Sequence, residues 1–97
     1  MSYYDFDGNK IEMKKWSQIW NSQERFLAQD EVNEYFVSTV WLGMNHNVEG
    51  GEPLIFETMT FAQGEDKKFD EYQWHYSTKE EALAGHAHAI ALIKGEK

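Results

Sequence analysis

Between Tyr35 and Phe61 the chain reads YFVSTVWLGMNHNVEGGEPLIFETMTF, two apolar runs on either side of an eleven-residue connection, Gly43 to Pro53. β-Branched and aromatic residues fit the pleated surface of a sheet, whereas Gly, Asn and Pro interrupt it. The pattern predicts two core strands joined by a long loop. In the first strand, Tyr35 to Leu42, the set Tyr35, Val37, Thr39 and Trp41 alternates with Phe36, Ser38, Val40 and Leu42. Neither set is polar, so this strand is predicted to be central and covered at least in part on both faces. The second, Leu54 to Phe61, sets Leu54, Phe56, Thr58 and Thr60 against Ile55, Glu57, Met59 and Phe61. Glu57 is its misfit.

Around this pair the rest of the chain falls into place. Asp7-Gly8-Asn9, between Tyr3-Tyr4 and Lys10-Ile11, is a hairpin signal. From about Glu12, Met13, Trp16, Ile19 and Trp20 recur at helical spacing, predicting a helix of about three turns that Asn21-Ser22 ends. Glu24 to Glu31 reads as an edge strand, its charges facing water, and Val32-Asn33-Glu34 as the turn into the central strand. Phe69 to Tyr76 reads as a fourth strand, with Tyr72, Trp74 and Tyr76 on one face and Glu71, Gln73 and His75 on the other. Ser77 and Thr78 precede Glu80 and Glu81 by three residues, the signature of a capping box opening a final helix at about Lys79. On a helical wheel Leu83, His86, Ala87, Ile90 and Ile93 share one arc, with Gly85 and His88 pointing away. The expectation is one α+β domain over residues 1–97, a four-stranded antiparallel sheet flanked by an N-terminal and a C-terminal helix in the order α-β-β-β-β-α, with a short N-terminal hairpin.

Composition narrows the function classes. Four Trp, five Tyr and six Phe in 97 residues supply a core that a disordered chain lacks. Seventeen acidic residues against nine basic ones, only Arg25 being arginine, give a net charge of −8. This disfavours direct nucleic-acid binding and favours a basic protein as partner. With no cysteine there is no disulfide, thiolate nucleophile or Cys-ligated zinc. The residues MSYYDFDGNK carry neither a basic nor an apolar leader region, and no apolar run approaches the ~18 residues of a membrane span. The reading is a soluble protein of the bacterial cytoplasm, monomeric or homodimeric, without membrane contact or cofactor.

At Ser38-Thr39-Val40-Trp41-Leu42-Gly43, His46, Pro53 to Met59, Tyr76-Ser77-Thr78 and Glu81 to His86, the chain resembles a group of small proteins encoded by tailed bacteriophages and prophages. Tyr4-Asp5, Asp7-Gly8 and Trp16 resemble the start of that group, while Lys10 stands where the group carries proline. The resemblance covers most of the chain. It implies phage origin and a role in host takeover, defence evasion or assembly, and it assigns no catalytic residue.

Among single residues, His86 and His88 are too close in sequence to chelate one ion, because positions two apart diverge by about 200° around a helix. His86 lies in the apolar arc and reads as a hydrogen-bonded core residue. Glu57, on an apolar strand, needs a partner, and a Glu57–His86 hydrogen bond would satisfy both. The long loop offers His46, Asn45 and Asn47 as ligand-binding candidates, or is a plain surface excursion closing on Pro53. Glu49, Glu52, Glu65, Asp66, Asp70 and Glu71 form an acidic tract that is either a solvated face or, with Tyr72, Trp74 and His75, an interface.

Three functions follow as expectations. The first is a non-enzymatic binding module docking on a host or phage protein through Tyr72, Trp74, His75, Glu65, Asp66, Asp70 and Glu71. The second is a small-ligand binder or enzyme built on His46, Asn45, Glu57 and His86. The third is a virion or assembly component that self-associates through a sheet edge. No metal site and no catalytic set is expected.

Overall fold

A computed structural model describes residues 2–47 and 50–95. The element order is β1 (Tyr3–Tyr4), β2 (Lys10–Ile11), α1 (Met13–Trp20), a 3-10 turn (Gln23–Arg25), β3 (Phe26–Val32), β4 (Tyr35–Trp41), β5 (Phe56–Ala62), β6 (Gln73–Tyr76) and α2 (Lys79–Lys94). β3 to β6 form one antiparallel meander in that spatial order, and β1 with β2 forms a separate hairpin. The chain is therefore α+β, a four-stranded antiparallel sheet with one helix before it and one after it.

Local chemistry explains most boundaries. The Asp5 carboxylate accepts from the backbone N–H groups of Asp7 (3.0 Å) and Asn9 (2.9 Å), closing the β1–β2 turn. α1 is shorter than its apolar spacing predicts, because the side-chain amide of Asn21 donates to Ser17 O (2.9 Å) and the Ser22 hydroxyl to Ile19 O (2.7 Å). Both groups cap its C-terminal carbonyls, and Met13 is left exposed. At the start of α2 the Thr78 hydroxyl accepts from Glu81 N–H while the Glu81 carboxylate accepts from Thr78 N–H, each at 3.1 Å. This is the predicted capping box.

Alternation assigns the strand residues to faces except between Phe26 and Ala28 of β3, where the register shifts. The inner face carries Val32, Tyr35, Val37, Thr39, Trp41, Phe56, Thr58 and Thr60, all buried, and α2 packs over it. At one end Val32, Tyr35 and Val37 pack with Ala89 and Ile93 of α2. At the other, Trp41, Ile55, Phe56 and Ala82 pack with Tyr4, Phe6, Trp16, Ile19 and Trp20, so that α1 and the hairpin close the Trp41 end. The Trp16 indole N–H ties that closure by donating to Leu42 O at 2.9 Å. Gly43 permits it: at φ +70 it has the left-handed conformation, and a Cβ there would lie 2.3 Å from the Trp41 ring.

Two predictions about packing are corrected. The residues that α2 buries are Ala82, His86, Ala89 and Ile93, while Leu83 and Ala87 face water. Gly85, predicted to point away, faces the sheet, where a Cβ would lie 2.0 Å from the Tyr76 hydroxyl. Small residues let α2 approach the sheet closely, and an apolar surface on nearly every side of a helix does not single out its buried arc. β6 also begins at Gln73 rather than Phe69, because the Asp66 and Asp70 carboxylates fold residues 66–71 into turns.

Candidate interaction surface

The outer face of the sheet, opposite α2, is a grid fixed by the register. One cross-strand row is Glu31, Phe36, Phe61; the next is Gln29, Ser38, Met59, Gln73; the third is Phe26, Val40, Glu57, His75. Five of these eleven positions are large apolar side chains, Phe26, Phe36, Val40, Met59 and Phe61. Phe36 and Phe61 pack ring to ring with centroids 6.3 Å apart, and Phe61 remains 40% exposed. β4 is apolar on both faces as predicted, yet among the described residues a helix, α2, covers one of them.

At one corner of this face, the connection after β4 folds back. His46 N–H donates to Leu54 O (3.0 Å), and the Asn45 side-chain oxygen accepts from the backbone N–H of Asn47 (2.8 Å) and Leu54 (2.9 Å). The Asn45 side chain is thereby committed to shaping the loop. The His46 ring stacks on His75, centroids 5.0 Å apart and planes 17° apart, and His75 Nε2 stands 3.0 Å from Glu57 Oε2. Three residues of separate sequence segments thus form one titratable corner. Glu49, with Val48, lies outside the described residues.

Glu57 does not pair with His86. Glu57 shares the outer face with Val40 and His75, whereas His86 comes from α2 on the inner face, so the sheet separates them. His46, Glu57 and His86 accordingly do not line one pocket. His86 instead bridges helix and sheet: its Nδ1 lies 2.7 Å from Thr39 Oγ1, and its Nε2 lies 2.7 Å from Asp30 Oδ2. Thr39 in turn meets Thr58 Oγ1 at 2.6 Å, and the Thr58 side chain hydrogen-bonds Tyr76. One proton assignment satisfies the centre of the chain: Nε2–H donates to the Asp30 carboxylate, and Nδ1 accepts from the Thr39 hydroxyl. The order carboxylate, imidazole, hydroxyl is that of a nucleophile triad, but Thr39 and Thr58 are wholly buried and no substrate reaches them. The network holds α2 on the sheet. Sequence reading found His86 but neither Asp30, which lies 56 positions away, nor the two threonines; threonines at the same register on adjacent strands were the available signal.

The acidic aromatic tract divides between structure and surface. Trp74 points to the inner face and packs half-buried against the Val32–Tyr35 core, so only Tyr72, 41% exposed, stands out from that cluster. Tyr72 meets Trp74 and Phe69 edge to face, each at 5.8 Å. Asp66 accepts from Lys68 N–H (3.0 Å), and that bond, with a second from the Tyr35 hydroxyl, holds its carboxyl below the ordinary carboxylate range. Burial raises the Tyr35 hydroxyl, and an interaction with Asp66 adds to the shift. Asp70 accepts from Ala62 N–H at 2.8 Å. Both aspartates therefore shape the connection, while Glu65 and Glu71 are exposed beside it, interrupted by Lys67 and Lys68.

A groove of about 410 Å³ lies elsewhere, lined by Phe6, Glu24, Phe26, Leu27 and Lys79. Among the described residues, no cluster of histidine, aspartate and glutamate has metal-holding geometry, and no helix is long and apolar enough to cross a membrane. No protein-family model, curated protein or solved structure matches the chain.

Proposed function

We propose that the chain is a non-catalytic, phage-encoded binding module that docks on a basic host or phage protein through the outer face of its sheet. The observation that carries this reading is the set Phe36, Val40, Met59 and Phe61, the first three half-buried and Phe61 40% exposed, on a helix-free face bordered by the carboxylates of Glu31 and Glu57. Aromatic and methionine side chains are enriched at interface centres, where losing water contributes most of the binding energy. A rim of one charge sign selects the partner and speeds encounter, and a net charge of −8 directs both toward a basic surface. The His46–His75 corner extends the same surface, while exposed Tyr72 lies with Trp74 on the other side of the sheet edge.

The test is affinity capture from a bacterial lysate with the wild-type chain and with a Phe36→Ser, Phe61→Ser variant. Capture of a basic protein by the wild type and its loss from the variant support the reading. Equal capture by both overturns it.

A further inference from the structure

The two edges of the sheet differ. β3 carries Asp30 and Glu31 along its length, exposed charges of the kind that keep an edge from pairing with another chain. β6, Gln73-Trp74-His75-Tyr76, contains no Asp, Glu, Lys, Arg or Pro. Thr60 N–H donates to Tyr72 O at 3.1 Å, so Tyr72, Trp74 and Tyr76 turn their backbone groups toward β5. Alternation then turns the N–H and C=O of Gln73 and His75 outward, away from the sheet.

From this edge we infer that β6 takes up an extended segment of the protein partner as a fifth strand. This deepens the docking reading above and rests on it. Such a strand would place alternate side chains beside Trp74 on the inner side and beside Gln73 and His75 on the outer side. The chain before β6 carries Glu71 and Asp70, the latter bound to Ala62 N–H, after Lys67 and Lys68; just after β6, Asp7, Glu52 and Glu80 line depressions with Ser77, with Lys79 among them, so that carboxylates outnumber lysines at both ends. The charge at both ends fits a segment with an apolar or β-branched centre and lysine or arginine at its flanks. Backbone bonds supply adhesion, and the flanking charges supply choice of partner.

The probe is a displayed library of random octapeptides selected on the wild-type chain, on Gln73→Pro, which removes an outward N–H, and on Gln73→Lys, which adds a repelling charge without a backbone change. Phe36→Ser, Phe61→Ser serves as a fourth target, and thermal unfolding establishes which variants fold. Strand addition predicts enriched peptides that alternate about an apolar centre with basic ends and lose about tenfold or more in affinity on both Gln73 variants. If Gln73→Pro does not fold, Gln73→Lys alone decides. Absence of enrichment, or enrichment indifferent to Gln73, overturns strand addition. Peptides lost on the phenylalanine variant but kept on the Gln73 variants overturn strand addition while leaving the docking face intact, and peptides indifferent to all variants contradict both.

Discussion

Glu57 and His75 meet across β5 and β6 on the face of the sheet opposite α2, with Oε2 and Nε2 3.0 Å apart. Both side chains keep contact with water, at 16% and 25% exposure, so solvent screens their attraction. Glu57→Gln is expected to cost less than about 1 kcal/mol in unfolding free energy, a shift of a few degrees in Tm at most. Urea titration checks this. A loss several times larger would mean that the pair belongs to the core and not to a surface.

The contrast is His86. Its removal by His86→Ala leaves Thr39 and Thr58 as a buried hydroxyl pair without their imidazole acceptor. The expected cost is about 2–4 kcal/mol, or roughly 10–20 °C in Tm. Asp30→Asn should cost less than about 1 kcal/mol, because this side chain is 53% exposed and the amide oxygen can still accept from Nε2–H. Equal losses for the two variants would contradict the network as described.

Gly85→Ala reverses the usual helix rule. In an open helix the change stabilises by up to about 1 kcal/mol. Here the new methyl would lie 2.0 Å from the Tyr76 hydroxyl, and a loss of about 1–3 kcal/mol is expected. Combining it with Tyr76→Leu should recover part of that loss, a non-additivity visible in a double-mutant cycle.

Three titrations shape stability against pH, those of Tyr35 and Tyr76 on the alkaline side and that of Asp66 on the acid side. Burial raises Tyr76 above its ordinary value of 10.0, so its contribution is complete below that pH and disappears as pH rises through the folded-state value. Asp66 is lowered below its ordinary 3.8, first by Lys68 N–H, so its contribution is complete above that pH and disappears as the carboxyl protonates in the folded chain. Unfolding free energy measured across pH should therefore fall on both the acid and the alkaline side, with Asp66→Asn flattening the first limb and Tyr76→Phe reducing the second, to which Tyr35 also contributes.

Much of this fold is legible in the residues. Apolar alternation locates β4 and β5, and Thr78 with Glu81 sets the start of α2. What is not legible follows from geometry that only packing decides. α2 is apolar on several sides, so its buried arc depends on where small residues allow close approach, and Gly85 against Tyr76 sets that. The partner of Glu57 depends on which sheet face α2 covers, and alternation within one strand does not name the covered face. His46, His75 and Glu57 each stood out as polar residues in suggestive places, but their meeting requires the turn-back of the loop that Asn45 closes. β4's apolar outer set predicted a covering; among the described residues no helix lies over that face, where Phe36 is half-buried against Phe61.

The most direct test of the docking face is hydroxyl-radical footprinting of the chain alone and in complex with the basic protein it captures. The account predicts that oxidation of Met59, Phe36 and Phe61 falls severalfold in the complex, while exposed Leu83 and Met13, away from the outer face, are unchanged. Protection of Leu83 or Met13 with Met59 and Phe61 still fully reactive would contradict it.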